Sequence, residues 1–260
     1  MEKETQFKKC LDPNCRRRGE LLSLNEFYRY KGGRYGRRAI CKECYHIRYG
    51  DKYKLCNERR KENLENGPNT LTKVEEHLVL STFDNKCALK GSEVEVSLDH
   101  FVPISWNEIT KNFDIGGNTY ANMLPLNIEL NKSKSDHNPF LWFKDAKDKF
   151  NINMDRWKEA VAYVAEKHGM TPLDFENRVN QCYENVMVKR AIYGLNKRLK
   201  EKRKKPPYSI VTYLLRLGIN IDVAIDKYGN KKAKQFVRNE EIVENINKIK
   251  KTLTKEVGGN

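Results

Sequence analysis

Two pairs of cysteines, Cys10-x4-Cys15 and Cys41-x2-Cys44, stand 25 residues apart near the start of this chain. Close pairs on a long loop can bring four thiolates to the corners of one tetrahedron around Zn²⁺. Two unrelated pairs of buried thiols are the alternative, and the paired spacing argues against it. A module of residues 1–50 has little apolar core, so metal binding is expected to supply most of its folding energy. The intervening segment LLSLNEFYRYKGGRYGRRAI reads as a β-ribbon turning at Gly32-Gly33 or Gly36. Cys56, Cys87 and Cys182 are left over and read as core or incidental thiols. Seven cysteines with four in a metal pattern favour reduced thiols over a disulfide framework.

Lysine and arginine number 50 against 35 acidic residues, a net charge of +15, which points to a polyanionic partner. In the first module Arg16, Arg17, Arg18, Arg29, Lys31, Arg34, Arg37, Arg38, Lys42 and Arg48 are interleaved with Tyr28, Tyr30, Tyr35, Tyr45 and Tyr49. Guanidinium groups fork onto phosphates and aromatic rings stack, so Arg16, Arg17, Arg34, Arg37 and Arg38 are candidate contacts to double-stranded DNA. Most charge runs are only solvated faces, but so small and basic a module repels itself without a counter-anion. No apolar run approaches the ~18 residues of a membrane span, and MEKETQFKKC is no signal peptide. An intracellular, cytoplasmic chain without a membrane or small-molecule partner is expected. With 38% hydrophobic and 33% charged residues the composition suits small modules joined by charged, exposed helices, and with the strands and helices read below the expected fold class is α+β.

The second informative stretch is LDHFVPISWNEITKNFDIGGNTYANMLPLNIELNKSKSD, residues 98–136. Val94, Val96 and Leu98 alternate with Glu95 and Ser97, predicting a half-buried strand that runs into Asp99-His100. After Pro103 and an irregular segment with Gly116-Gly117, a second strand is predicted near Tyr120 to Met123. A helix starting at Pro125 is predicted to carry Asn131. Hydrolysis of a phosphodiester needs an activated water and neutralised phosphate charge. His100 titrates near neutrality and suits a general base. The Asp99 carboxylate and Asn131 amide oxygen are hard ligands for Mg²⁺ or Mn²⁺. Asn122 is better placed to brace the backbone around His100, and Lys132 and Lys134 are candidates for flanking phosphates. A lone Asp-His is weak, since structural histidines are commoner; four residues in this order carry more.

These residues resemble the HNH (ββα-metal) endonuclease family, with Asp99-His100 as first motif, Asn122 as second and Asn131 as third. The resemblance implies that Asp99 and Asn131 bind one divalent cation, that His100 is the base and that Asn122 is structural. The nine-residue step from Asn122 to Asn131 fits the pattern. The 22-residue step from His100 is longer and implies an insertion at about Trp106 to Asn118. Many relatives hold a structural zinc between two further Cys pairs. Here the first is reduced to Cys87 with Lys90, and Asn127 and Leu130 stand at the second, so this core should hold no zinc.

Around that centre, residues 51–69 read as a polar link ending at Gly67-Pro68, followed by a helix with the capping box Thr72-x-x-Glu75 and Leu71, Val74, Leu78 and Phe83 near one face. His77, His137 and His168 read as structural or surface residues. Helical stripes headed by Asn138-Pro139, then Met154, Trp157, Val161 and Val164, then Phe175, Val179, Cys182, Val186 and Ile192, predict a helical collar over 151–205. Lys189 to Lys205, including Lys204 and Lys205, reads as a basic linker or helix along the phosphate backbone. In the tail, residues 206–260, the stretch PPYSIVTYLLRLGINIDVAIDKYGN resembles the helix-turn-helix-like repeat of phage and intron-associated homing endonucleases, with Ser209 as helix cap; a plain helical hairpin is the alternative. Tyr208, Ser209, Thr212, Tyr213 and Arg216 would be its DNA contacts. Ile242, Ile246, Ile249 and Leu253 stripe a last amphipathic helix expected to pack back on the chain. The plan is thus a four-cysteine zinc module (1–50), a link (51–69), a nuclease core (70–150), the collar and a DNA-reading tail. It implies a site-specific DNA endonuclease, monomeric on DNA. A restriction- or packaging-associated nuclease, and a non-catalytic DNA-binding protein on the same scaffold, are the alternatives.

Overall fold

The computed structural model describes residues 7–93, 95–201 and 207–257, so the expectations for Val94, Lys204 and Lys205 lie outside the described residues. The fold is α+β and mostly helical, with two small antiparallel sheets and a cysteine cluster near the N-terminus. The chain divides into two compact units, Met1–Glu62 and Asn63–Asn260. Residues 51–66, read from sequence only as a polar link, are helical: α1 spans Lys42–Asn66. Its Lys, Arg and Glu residues are good helix formers even where nothing packs on them, and Gly67-Pro68 stops it.

In the first unit, β1 (Phe7–Lys8) pairs with β2 (Leu22–Ser23). A second reversal lies between Arg29 and Arg37, which form an antiparallel bridge. Gly33 is required there, because a Cβ on it would lie 2.0 Å from the Arg37 carbonyl oxygen. Leu22, Phe27 and the four clustered cysteines make up the buried core, with Ile40 packed against it.

In the second unit, β3 (Val96–His100) runs antiparallel to β4 (Met123–Asn127) with His100 opposite Met123. Helix α3 (Ile128–Lys134) follows at once, capped by the Asn127 side chain, which accepts from the Glu129 N–H at 2.7 Å. Before the sheet comes α2 (Lys73–Thr82), closed by the capping box of Thr72 and Glu75. The link between the strands winds into a 3₁₀ helix, Ile104–Phe113, which buries Trp106 and Ile109. Helices α4 (Pro139–Lys149), α5 (Met154–Lys167) and α6 (Pro172–Lys200) enclose an aromatic core. In it Phe101 lies within 6 Å of Phe140, Trp157 and Phe175, and Phe143 stacks on Trp157 at 4.0 Å. The 29 residues of α6 leave this core and enter a second one. There Val188, Ile192 and Leu195 meet α7 (Tyr208–Arg216), α8 (Ile221–Tyr228), α9 (Lys231–Phe236) and α10 (Glu240–Val257). Ile242 and Ile246 of α10 are buried in this second core. Among the described residues no single helix is long and apolar enough to cross a membrane.

Several local expectations are corrected. Pro125 does not start a helix but sits within β4 opposite Leu98, where a two-stranded sheet leaves its missing N–H on an open edge. On α2 the buried residue is Val79, while Val74 is 77% and Leu78 49% exposed. The most buried residue of β3 is Asp99, so the polar side of that strand faces inward. Ser209 lies inside α7, which Pro207 precedes without a side-chain cap; its hydroxyl accepts from Arg198 at 3.1 Å.

His168, at the end of α5, donates Nδ1–H to the Val164 carbonyl at 2.8 Å and lies 5.0 Å from the Phe175 ring. Burial lowers its pKa from the usual 6.5, outweighing that carbonyl. The fold therefore holds the neutral ring, and its contribution is present above pH 6.5 and lost as pH falls below it. Thermal unfolding followed from about pH 7 to about pH 5 should show a smaller loss in His168→Gln than in the parent; equal losses would contradict this assignment.

Candidate functional site

The sequence-predicted residues of the 98–136 stretch gather around the end of the β3–β4 ribbon. Asn122 is fully buried, and its carboxamide ties the two strand ends together. Its Oδ1 accepts from the Val102 N–H at 2.8 Å, and its Nδ2 donates to the carbonyls of Val102 (2.9 Å) and Gly117 (2.8 Å). Its own carbonyl accepts from the Phe101 N–H at 2.8 Å. Through its backbone carbonyl and its amide, Asn122 thus grips the backbone one and two residues beyond His100. Replacement by alanine would strand three buried backbone groups and should cost about 3 kcal/mol or more. Denaturant unfolding of Asn122→Ala measures this; a loss under about 1 kcal/mol would contradict the bracing geometry.

Successive strand residues point to opposite faces. Asp99 faces α3. Its Oδ2 lies 3.1 Å from the Lys134 ammonium, yet makes no well-directed hydrogen bond. Asn131, one turn before Lys134, donates Nδ2–H to Ser97 Oγ at 3.0 Å. Ser97 and Asp99 share a face of β3, so Asp99 and Asn131 lie along the same β3–α3 seam. Burial pushes the Asp99 carboxyl up to about 6, although the Lys134 ammonium pulls it down. Lys134 is 2% exposed and also donates to the carbonyl of His100 at 2.9 Å. It therefore does not hold a flanking phosphate, as its place beside exposed Lys132 suggested. Its charge serves the interior.

His100 turns the other way. Its Nε2 lies 2.9 Å from Asn118 Oδ1, and Asn118 Nδ2 in turn donates to Asn69 Oδ1 at 2.8 Å. With the Asn118 amide nitrogen engaged on Asn69, its oxygen faces the His100 ring and anchors it at Nε2. Sequence reasoning missed Asn118 and Asn69. The available signal was Gly116-Gly117: both have positive φ, and a Cβ on Gly117 would lie 2.6 Å from the Pro68 carbonyl. That close approach lets the Asn118 N–H donate to Pro68 O at 2.7 Å and sets Asn118 beside residues 69–71. The structure thus places Asp99 and Asn131 on one face of the strand end and the His100 ring on the other.

In the first unit, Cys10, Cys15, Cys41 and Cys44 are buried with their sulfurs all within 4.8 Å of one another. Tetrahedral Zn–S bonds of ~2.3 Å need sulfurs roughly 3.8 Å apart, and Cys15 and Cys41 stand at 3.9 Å. The Asp12 and Cys41 N–H groups both point at Cys10 Sγ, at 3.5 and 3.2 Å, the donors a thiolate ligand requires. Burial raises the Cys15 and Cys44 thiols. At Cys41 burial is outweighed by hydrogen bonds from the Cys44 backbone and the neighbouring thiols, and its pKa falls. The cluster fits zinc. Chelation, or Cys41→Ser, should unfold the first unit and leave the second folded; limited proteolysis that still spares residues 7–41 without metal would contradict this.

Of the basic candidates, Arg17 is engaged by Glu26 (3.1 Å) and Glu43 (3.9 Å), so it is not the open phosphate contact expected. Arg16 and Arg34 are exposed and Arg37 and Arg38 half-buried. Arg38 lies over the rings of Tyr30 and Tyr45. In α7 Thr212 is half-buried and donates to the Tyr208 carbonyl, and Tyr208 bonds Asn245, which turns both toward the second core. Ser209, Tyr213 and Arg216 remain exposed. Comparison with family models, with curated proteins and with solved structures finds no match for this chain.

Proposed function

We propose that this chain is a site-specific DNA endonuclease of the HNH (ββα-metal) kind, similar in plan to free-standing homing endonucleases. The observation that carries the reading is the strand–strand–helix unit. β3 ends on Asp99-His100, the buried Asn122 braces the turn-side backbone, and Asn131 projects from the helix that follows. On this reading the N-terminal unit is a zinc-ribbon-like DNA-contact module and α7–α10 form a DNA-reading tail.

Asp99 and Asn131 would hold Mg²⁺ or Mn²⁺. Their donor set is hard and they share one seam, where Asp99 Oδ2 is paired with the Lys134 ammonium at 3.1 Å. The cation, when bound, neutralises charge on the scissile phosphate and aids the leaving oxygen. The chain's own residues supply the rest. His100 would take a proton from the attacking water, and Asn118, itself held by Asn69, orients the ring. Asn122 keeps the backbone carrying His100 from shifting, and exposed Lys132 can meet a flanking phosphate.

One observation favours a second reading. Lys134 already neutralises Asp99, as would suit a scaffold that binds DNA without cutting it. Supercoiled and linear DNA incubated with Mg²⁺ separates the two. The nuclease reading expects cleavage that falls about 10²- to 10⁴-fold in His100→Ala, and roughly 10- to 100-fold in Asn118→Ala with DNA binding retained. Wild-type protein that binds DNA and leaves it intact would establish the second reading. Cleavage of structured RNA alone would overturn both.

A further inference from the structure

A cleft of about 650 Å³ opens on the first unit, between the β1–β2 ribbon and the 30–37 reversal. Its apolar floor is unusual for a surface. Phe7, Leu11, Leu21 and Tyr30 are 49%, 71%, 65% and 51% exposed, although each could be buried in a core. Its rim is cationic: Lys9, Arg34 and Arg37 line it, and no carboxylate does among the described residues. Lys8 lines it too, but its ammonium is turned inward, donating to the Arg38 carbonyl at 2.7 Å over the Phe27 ring. The walls are fixed. Tyr30 and Gly36 are joined by a 2.8 Å backbone bond, Arg38 donates to the Tyr28 carbonyl, and Leu11 donates to the Ala39 carbonyl.

A ligand for this cleft must present a flat apolar face and carry negative charge beside it. Duplex DNA offers phosphates to the rim but keeps its base faces stacked inside. A nucleobase out of the stack offers both, its face to Tyr30 and the apolar floor and its flanking phosphates to Lys9, Arg34 and Arg37. We propose that this cleft binds an unstacked nucleobase of a DNA strand, so that the first unit senses unpaired or extruded bases. The assignment rests on the reading of the chain as DNA-binding, but not on cleavage.

The test uses the full, zinc-loaded chain without Mg²⁺, and three probes: a paired duplex, the same duplex with one unpaired 2-aminopurine, and an acidic peptide. The unpaired probe should bind at least about fivefold tighter than the paired one, with its fluorescence quenched. Tyr30→Ala should abolish that preference and the quenching while keeping zinc content. Leu21→Asp, at an exposed position where folding is not at stake, should do the same by placing a carboxylate in the cleft. Equal binding of both duplexes by the parent, a preference surviving in Leu21→Asp, or displacement by the peptide as effective as by DNA would each overturn the assignment. Mg²⁺-dependent cleavage of paired plasmid is scored separately. A chain that cuts but shows no preference loses only the cleft, and one that shows the preference but never cuts loses only the nuclease reading.

Discussion

The buried carboxamide of Asn122 is the interaction on which the candidate site depends. The two strands of the β3–β4 ribbon are joined by more than twenty residues rather than a tight turn, so turn geometry cannot set where their ends lie. Asn122 sets it instead, by completing the hydrogen bonds of Val102 on one side and Gly117 on the other. Both ends of that long link are thereby tied to one side chain, and everything nearby inherits the restraint. The Gly116-Gly117 reversal carries Asn118 to His100, the 3₁₀ helix packs Trp106 and Ile109 into the core, and β4 runs directly into α3.

Elements with a local signal were legible in the sequence. Thr72 and Glu75 form the reciprocal cap their spacing announced, Asn138 caps α4, and Phe175, Val179, Cys182 and Val186 stripe the buried side of α6. What stayed hidden depends on partners distant in sequence. Pro125 beside a helix looks like a helix start, and only the pairing with Leu98 makes it a strand residue. Val74 and Leu78 fit a helical stripe as well as Val79 does, but α2 packs on β4 through the face that buries Val79. Lys134 looks like one lysine of an exposed pair until Asp99 is found beneath it. Asn118 and Asn69 carry no spacing rule, since they meet across 49 residues through a glycine that only a close approach requires.

The net charge of +15 is distributed with the same selectivity. Part of the basic excess is paired within the chain: Lys134 with Asp99 in the interior, and Arg17 with Glu26, Lys189 with Glu108 and Arg190 with Asp136 at the surface. The last two belong to the run read from sequence as backbone-tracking, and they pair α6 with the 3₁₀ link and with the end of the 98–136 stretch. Other cations of the first unit are held differently. Lys42, Arg34 and Arg38 lie over tyrosine rings, an arrangement that keeps guanidinium and ammonium groups oriented yet still open to a phosphate.

That Asp99 and Asn131 form one cation site beside a separately oriented His100 is the claim on which the functional account turns. Electron paramagnetic resonance of Mn²⁺ titrated into the zinc-loaded chain measures it most directly, free of any choice of DNA target. The account predicts one bound Mn²⁺ per chain in the parent, lost or much weakened in Asp99→Asn and in Asn131→Ala, and retained in His100→Ala. Mn²⁺ that binds Asp99→Asn as tightly as the parent, or that does not bind the parent at all, would contradict it.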